Sequence, residues 1–582
     1  MQMLCCDHHL LSKVCGADRD GKEKTMLQSK SNAMRAISIA LTVIVLLVAV
    51  LASTESVSAA TKLKVTVTKK TIYVGQTTKF KSNKDVKWSV SSKSKAKLSS
   101  IKKRSVTVKG LKAGKVTVTA KRGKVTRKTT ITIKPVPTKI RIYATKKVIG
   151  LGEYCSVIVK SVEPAGVSES VTYSSSNTKI ATVDRDGLVQ GMSPGTATIT
   201  VASKVKSSVK ATVKIRVVPT RAGTVTLTAD LSDETRYPAG KVAKVWLPVP
   251  QSDDHQSIKS VKCDAPEAAV KKLTKDSAGG KQYYVEWDED TPPEDRVATL
   301  TYHLYRRAVE RGESIESVKS TVEDVDQEEF EVYLKETYWS GDLDSGIVKD
   351  TADDIVERAG AETVYEMAHA IYNEMCDKYV RTDDKTVIFG DVVSILKGVR
   401  GEEGGRNAGS CMDMNSVFVA LCRSEGIPAR NLFGLRFWNE DANGNQKPPS
   451  PNCRAEFYLP GYGWVPADPA LAIKQYRGLD GDPVTEYDPT WEKVKSKFWG
   501  NGEENWICVN MGRDIVLDPP QSVATEEYLE VLNPVNDEGV STINLYMFPY
   551  GEFDGQYIPC QASKNFKYEY SFEKEDPLDC GC

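Results

Sequence analysis

One pattern of short alternating segments occurs twice in this chain, about eighty residues apart, and it limits the possible folds of 582 residues more than any other feature. Val86-Lys-Trp-Ser89 matches Val171-Thr-Tyr-Ser174, and Gly110-Leu-Lys-Ala-Gly-Lys-Val-Thr-Val-Thr119 matches Gly191-Met-Ser-Pro-Gly-Thr-Ala-Thr-Ile-Thr200. Within the first copy, Leu63, Val65 and Val67, then Val106 and Val108, Val116 and Val118, and Ile131 and Ile133 are apolar at period two. That period predicts strands with one buried face. A strand-built repeat of this length predicts β-sandwiches, here over 61–136 and 137–219. A chain this long exceeds one hydrophobic core, so three or four domains are expected. Hydrophobic residues at 40% and charged residues at 27% supply those cores and argue against wholesale disorder.

The remainder divides by period. Residues 220–315 continue the β pattern, with Val242, Val245, Leu247 and Val249 around Trp246 and a later strand over Thr299-Leu-Thr-Tyr-His303. His303, in an alternating strand, reads as structural. After Asp350 the spacing becomes helical: Val364, Met367, Ala368, Ile371, Met375 and Tyr379 form one stripe. His369 lies off that stripe and reads as outward-facing. Residues 316–582 therefore read as an α+β domain with a C-terminal extension.

Residues 1–60 are an N-terminal extension with a signal pattern: Arg35, an apolar run from Ala36 to Ala52 broken by Ser38 and Thr42, then Ser56-Val-Ser-Ala-Ala60. Cleavage after Ala59 suits the small-residue rule, and Met34 is where such a signal would start, leaving 1–33 untranslated. The other reading keeps 36–52 uncleaved as an anchor at the lower length limit for a bilayer span. Both place everything after Ala60 outside the membrane, secreted or at the cell surface, with membrane contact only through this segment.

Of the thirteen cysteines, Cys5, Cys6 and Cys15 precede the signal, and the other ten are scattered without zinc-ligand spacing. Neither a metal nor another cofactor is expected. Cys580-Gly-Cys582 could close a disulfide whose connectivity sequence does not give. The net charge of +2 hides an imbalance: Lys62 to Lys134 holds 23 Lys and Arg against one acid, Asp85. On an exported module that charge favours anionic cell-wall polymers, or is simply a solvated basic face. Export removes nucleic acid as a partner.

The most informative segment is Gly409-Ser-Cys-Met-Asp-Met-Asn-Ser-Val-Phe-Val-Ala-Leu-Cys-Arg-Ser-Glu-Gly-Ile-Pro-Ala-Arg430. Met414, Val417, Phe418, Leu421 and Cys422 recur at three and four residues, and Gly426 and Pro428 end the helix. Cys411 thus begins a helix, where free backbone N–H groups and the helix dipole favour a thiolate. Cys422, on the buried face, reads as core. Downstream, Cys453-Arg-Ala-Glu-Phe-Tyr-Leu459 alternates as a strand, turns at Pro460-Gly-Tyr-Gly463 and resumes through Trp464-Val-Pro-Ala-Asp468.

Two resemblances follow from these residues. Ser174 to Val183, Gly187 to Gly191 and Gly195 to Ile199 resemble the bacterial immunoglobulin-like group 2 family, which implies a seven-stranded spacer of surface proteins and adhesins. The likeness is weaker in the first copy. The helix-then-hairpin order from Cys411 to Asp468, with Phe498-Trp-Gly500 and Met547-Phe-Pro-Tyr550, resembles the transglutaminase-like superfamily of papain-type cysteine enzymes over roughly 220 to 582. The expected architecture is multidomain: two immunoglobulin-like sandwiches, a further β-rich domain, then an α+β transglutaminase-like domain.

That resemblance implies Cys411 as the nucleophile toward a peptide or protein amide and Asp468 as the acid orienting a histidine. The histidine position, however, falls on Asn452, and no histidine follows His369. Three expectations stay open: an enzyme acting on peptide amides by transfer or hydrolysis, a degenerate module that binds peptide or glycan in the old cleft, and a structural or adhesive module. Calcium dependence, familiar from some animal relatives of that superfamily, has no visible ligand cluster in this sequence.

Overall fold

The computed structural model describes residues 62–579 apart from 313–314, 383–389, 399–406, 438–446, 485–486, 523–541, 544–545 and 559–566. The expected signal or anchor and the Cys580–Cys582 pair lie outside the described residues. Among the described residues no helix is long and apolar enough to cross a membrane.

Two compact units divide near Pro135. The first is a sandwich of two four-stranded sheets. The valines and isoleucines named from the period-two pattern at 106, 108, 116, 118, 131 and 133 are all at most 2% exposed. The second unit begins with the repeated copy, again two four-stranded sheets. Each sandwich therefore has eight strands rather than the seven implied by family likeness, because its first strand is broken. Val65–Val67 pairs antiparallel with Thr77–Ser82 in one sheet, while Thr71–Tyr73 pairs parallel with the last strand in the other. The second copy repeats this with Lys139–Ala144 and Val148–Gly150. The recurring glycines also have a cause: a Cβ on Gly191 would come within 2.4 Å of the Gly150 carbonyl oxygen, and one on Gly110 within 2.9 Å of Ile133.

The second sandwich is docked on the β-rich domain that follows. Only Pro219 separates Lys210–Val218 from Thr220–Asp230. The Tyr305 hydroxyl donates to the Leu151 carbonyl at 2.6 Å, and Arg216 holds Glu310 through both guanidinium arms at 2.8 and 2.9 Å. The β-rich domain has a four-stranded and a five-stranded sheet, and the C-terminal extension completes both. Lys567–Glu575 pairs with Thr220–Asp230 from Ala222 to Asp230, and Tyr550–Phe553 pairs with the first four residues of Ala243–Val249. His303 sits in that β structure, its Nε2 2.7 Å from Glu575 Oε2.

Among the described residues the remaining domain has six α-helices beside a four-stranded sheet: α1 (Gly346–Ala359), α2 (Val364–Lys378), α3 (Val392–Leu396), α4 (Cys411–Ser424), α5 (Pro469–Arg477) and α6 (Pro489–Phe498). The sheet strands are β1 (Ala429–Arg436), β2 (Ser450–Leu459), β3 (Gly463–Ala467) and β4 (Trp506–Met511), in the order β3-β2-β1-β4. The stripe read on α2 is buried at Val364, Ala368, Ile371, Met375 and Tyr379. His369 is not directed outward: its ring lies tilted against Trp499, with 4.9 Å between ring centroids, and burial lowers its pKa. The sequence displayed one apolar face of α4, yet every residue from Met412 to Cys422 is buried. The helix is central: most of it joins the helical core with β2 and β3, while Met412 joins the core shared with the β-rich domain.

Candidate active site

The start of α4 is fixed by its own sequence. The Ser410 hydroxyl accepts from the Asp413 amide, and one Asp413 carboxylate oxygen accepts from the Ser410 amide at 2.8 Å, a reciprocal cap. The other oxygen accepts from the Gly390 amide at 2.6 Å, tying a neighbouring loop to the same turn. Gly409 has to be glycine, because a Cβ there would lie 2.5 Å from that of Asp413. Cys411 is the first helical residue, half-buried, with first-turn amides aimed past it.

Strand pairing opens a place for this turn. β3 pairs with β2 only from Ala455 onward, so the edge at Asn452 to Arg454 is left without a strand neighbour there. The first turn of α4 covers it: the Asn415 side-chain amide donates to the Cys453 carbonyl at 3.0 Å. One helical turn earlier, Cys411 comes beside Cys453, whose thiol and amide favour its ionised form. Val380–Arg381 pairs in parallel with Ala408–Gly409, which brings Arg381 to the cleft that Cys411 lines, where its positive charge favours the same thiolate.

These contacts set the charge state. The Cys453 thiol is the largest influence; Arg381 and the Cys453 amide add to it, while burial and the Asp468 carboxylate oppose. The Cys411 thiol is brought down to about 6. The same pairing, with burial, pushes Cys453 well above the ordinary thiol range.

Cys411 opens onto a cleft of about 400 Å³ that Asn452, Arg381, Arg436, Leu471 and Lys474 also line. Cys411 and Asn452 thus share one cleft. The Asn452 carbonyl accepts from the Trp506 indole at 3.1 Å, while its side-chain oxygen is buried with no hydrogen-bond partner. Asp468 lies below, 4% exposed, as the cap of α5: one oxygen accepts from the Leu471 amide at 2.9 Å. The other is 3.5 Å from Arg454 Nε, and neither of those two atoms makes a hydrogen bond. Burial raises the Asp468 pKa and brings Arg454 down to about 10. Arg454 also lies over the Trp506 ring at 4.8 Å and reaches Glu503 at 3.4 Å.

A profile of the transglutaminase-like superfamily matches residues 349–469, a span that holds Cys411, Asn452 and Asp468. An uncharacterized protein of Haemophilus influenzae (strain ATCC 51907 / DSM 11121 / KW20 / Rd) is 30% identical over 352 residues, which is 57% of this chain and 86% of that protein. Residues 349–469 are thus a transglutaminase-like domain. Its second sandwich, at 138–213, matches the profile of the bacterial Ig-like domain (group 2). Among solved structures, a cysteine-protease candidate from Cytophaga hutchinsonii is similar at 15% identity and a TM-score of 0.33, covering 60% of this chain and 98% of that one. The periplasmic domain of TgpA from Pseudomonas aeruginosa, bound to ethylmercury, is similar at 13% identity and a TM-score of 0.24, covering 44% and 92%.

In this transglutaminase-like protein the sequence pointed to Cys411, Asn452 and Asp468 but not to the groups around them. Cys453 and Arg381 act on the sulfur from two separate segments, while Asn415, on the helix of Cys411 itself, holds the Cys453 carbonyl. Cys453 had a weak signal, an inward position in an alternating strand; Arg381 had none, because a two-residue parallel bridge delivers it. Among the described residues none of the histidines lines the cleft. The arrangement holds a thiolate near neutral pH but offers no imidazole to carry a proton.

Proposed function

We propose that this chain is an exported envelope protein whose transglutaminase-like cleft binds peptide amides and acylates Cys411 slowly, displayed on immunoglobulin-like spacers. The observation that carries this reading is the cleft that Cys411, at the start of α4 with its pKa brought down to about 6, shares with Asn452. A thiolate can add to an amide carbonyl, and the Asn452 side chain can donate a hydrogen bond to the carbonyl oxygen. Expelling the amine requires a proton, which an asparagine does not supply near neutral pH; a positioned acid–base group is worth roughly 10²- to 10⁴-fold in rate. Asn452 therefore favours binding over rapid turnover. The apolar run at 36–52 supports export, and the 23-to-1 excess of basic residues in the first sandwich supports retention on anionic polymers.

The test compares wild type, Cys411→Ala and Asn452→His for amine incorporation into, and hydrolysis of, glutamine-containing peptides. Near-background wild type with a large gain in Asn452→His agrees with the reading. Fast wild-type turnover lost in Cys411→Ala would replace it with a full enzyme, and no binding or turnover in any variant would leave a structural module.

A further inference from the structure

The lack of an imidazole handicaps amide chemistry but not every reaction of a thiolate. An amine leaves only when protonated, whereas a thiol leaves a disulfide as a stable anion. Thiol–disulfide exchange needs an ionised, accessible attacking sulfur and a second thiol within reach to resolve the mixed disulfide. Both are present. Cys411 is half-buried on the cleft wall, and Cys453 is 1% exposed in the core against which Cys411 packs.

The backbones are held close independently of that contact. Asn415 grips the Cys453 carbonyl at 3.0 Å from one turn along α4, on the face that Cys411 shares. Both cysteines pack in the core shared with the β-rich domain. Among the described residues the other free thiols, Cys155, Cys263, Cys376, Cys422 and Cys508, are all buried, so Cys411 is the one placed to meet a substrate.

We propose that Cys411 and Cys453 form a dithiol–disulfide couple that exchanges with small or extended peptide disulfides entering the cleft, Cys411 attacking and Cys453 resolving. The Cys411 thiolate attacks one sulfur of R–S–S–R′, forms the Cys411–S–S–R bond and releases R′–S⁻. Cys453 then gives up its proton to solvent and attacks the Cys411 sulfur, forming the Cys411–Cys453 bond and releasing R–S⁻. The substrate disulfide is reduced by two electrons and the couple is oxidised by two; a low-molecular-weight thiol, itself oxidised to its disulfide, restores the pair. The couple uses the nucleophile of the peptide-amide reading but none of its acid–base chemistry. While it is oxidised, the cleft cannot acylate.

The division of charge fits these roles, a low-pKa attacking thiol beside a high-pKa buried one. Weighing thiolate fraction against the nucleophilicity lost with pKa, Cys411 is expected to outpace an ordinary thiol by about ten-fold at about pH 5.5.

The full chain is reduced, desalted and treated with glutathione disulfide at that pH, then brought to about pH 8 so that the high-pKa Cys453 can ionise and resolve; released thiol is counted and the peptides are mapped by mass spectrometry. Wild type is expected to release two thiols per disulfide consumed and to yield linked Cys411 and Cys453 peptides. Cys453→Ser is expected to stop at a Cys411–glutathione mixed disulfide with one thiol released, and Cys411→Ser to lose both products. Wild type that halts at the mixed disulfide, or a Cys453→Ser product identical to wild type, overturns the couple. Iodoacetamide is run in parallel. Alkylation of Cys411 without any exchange overturns the couple and leaves the peptide-amide nucleophile standing, whereas failure of both reagents at Cys411 removes both.

Discussion

At Cys411 the rate of iodoacetamide alkylation, followed by peptide mapping from acid to alkaline pH, is expected to be half-maximal near 6, because only the thiolate reacts and its pKa is brought down to about 6. An ordinary thiol would keep gaining rate up to about 8.5. Below its pKa Cys411 protonates and the advantage fades; a profile that rises only above pH 8 would remove the activated thiolate. Asn452→His is the complementary change. Arg454, on the strand that carries position 452, and Asp468, directly after the strand paired with it, each keep one polar atom without a hydrogen bond. An imidazole there is expected to raise amide turnover roughly 10²- to 10⁴-fold, measured as amine incorporation with Cys411→Ala as the control. Sequence named the thiol because a helix start is a local pattern. It did not reveal the dependence on Cys453 and Arg381, since neither lies within one helical turn of residue 411.

At the scale of elements, α4 was legible as a helix but not as the centre of its domain. Periodicity reports the most apolar face, while Asn415, Ser416 and Asp413 are polar residues buried through specific partners: the Cys453 carbonyl, Arg513, and the Ser410 and Gly390 amides. Ser410→Ala is expected to cost about 1 kcal/mol in chemical denaturation, the usual loss for a missing cap, and to loosen the turn that presents Cys411. β1 holds a second sensitive position. Its pairing with β4 shifts register at Phe433 to Gly434, and a Cβ on Gly434 would meet the Ile507 carbonyl oxygen at 1.9 Å. Gly434→Ala is therefore expected to destabilise by about 1 to 3 kcal/mol through forced backbone movement, read from the denaturation midpoint. The glycine alone carried no such signal, because its constraint comes from a strand more than seventy residues away.

Over the whole molecule, the chain end closes the domain that begins at Thr220. Tyr570 and Phe572 on Lys567–Glu575 are buried in the core that also receives Met412 and Cys453 from the site. Deleting residues 567–582 is expected to strip that edge, lower the melting temperature and release the core, measured by calorimetry and by protease sensitivity within 220–311; an unchanged melting curve would count against this coupling. The junction with the second sandwich is tight for a related reason: a Cβ on Gly152 would lie 2.2 Å from the Pro577 carbonyl oxygen. The sequence by itself determined the two repeated sandwiches, the helix that starts at Cys411 and the asparagine at position 452, because alternation, capping and residue identity act over a few neighbours along the chain. Tertiary structure decided which strands close the β-rich domain, which side of α4 is covered, and which thiol, guanidinium and amide surround the Cys411 sulfur. Those depend on strand pairing across hundreds of residues, and no local pattern records a partner at that distance.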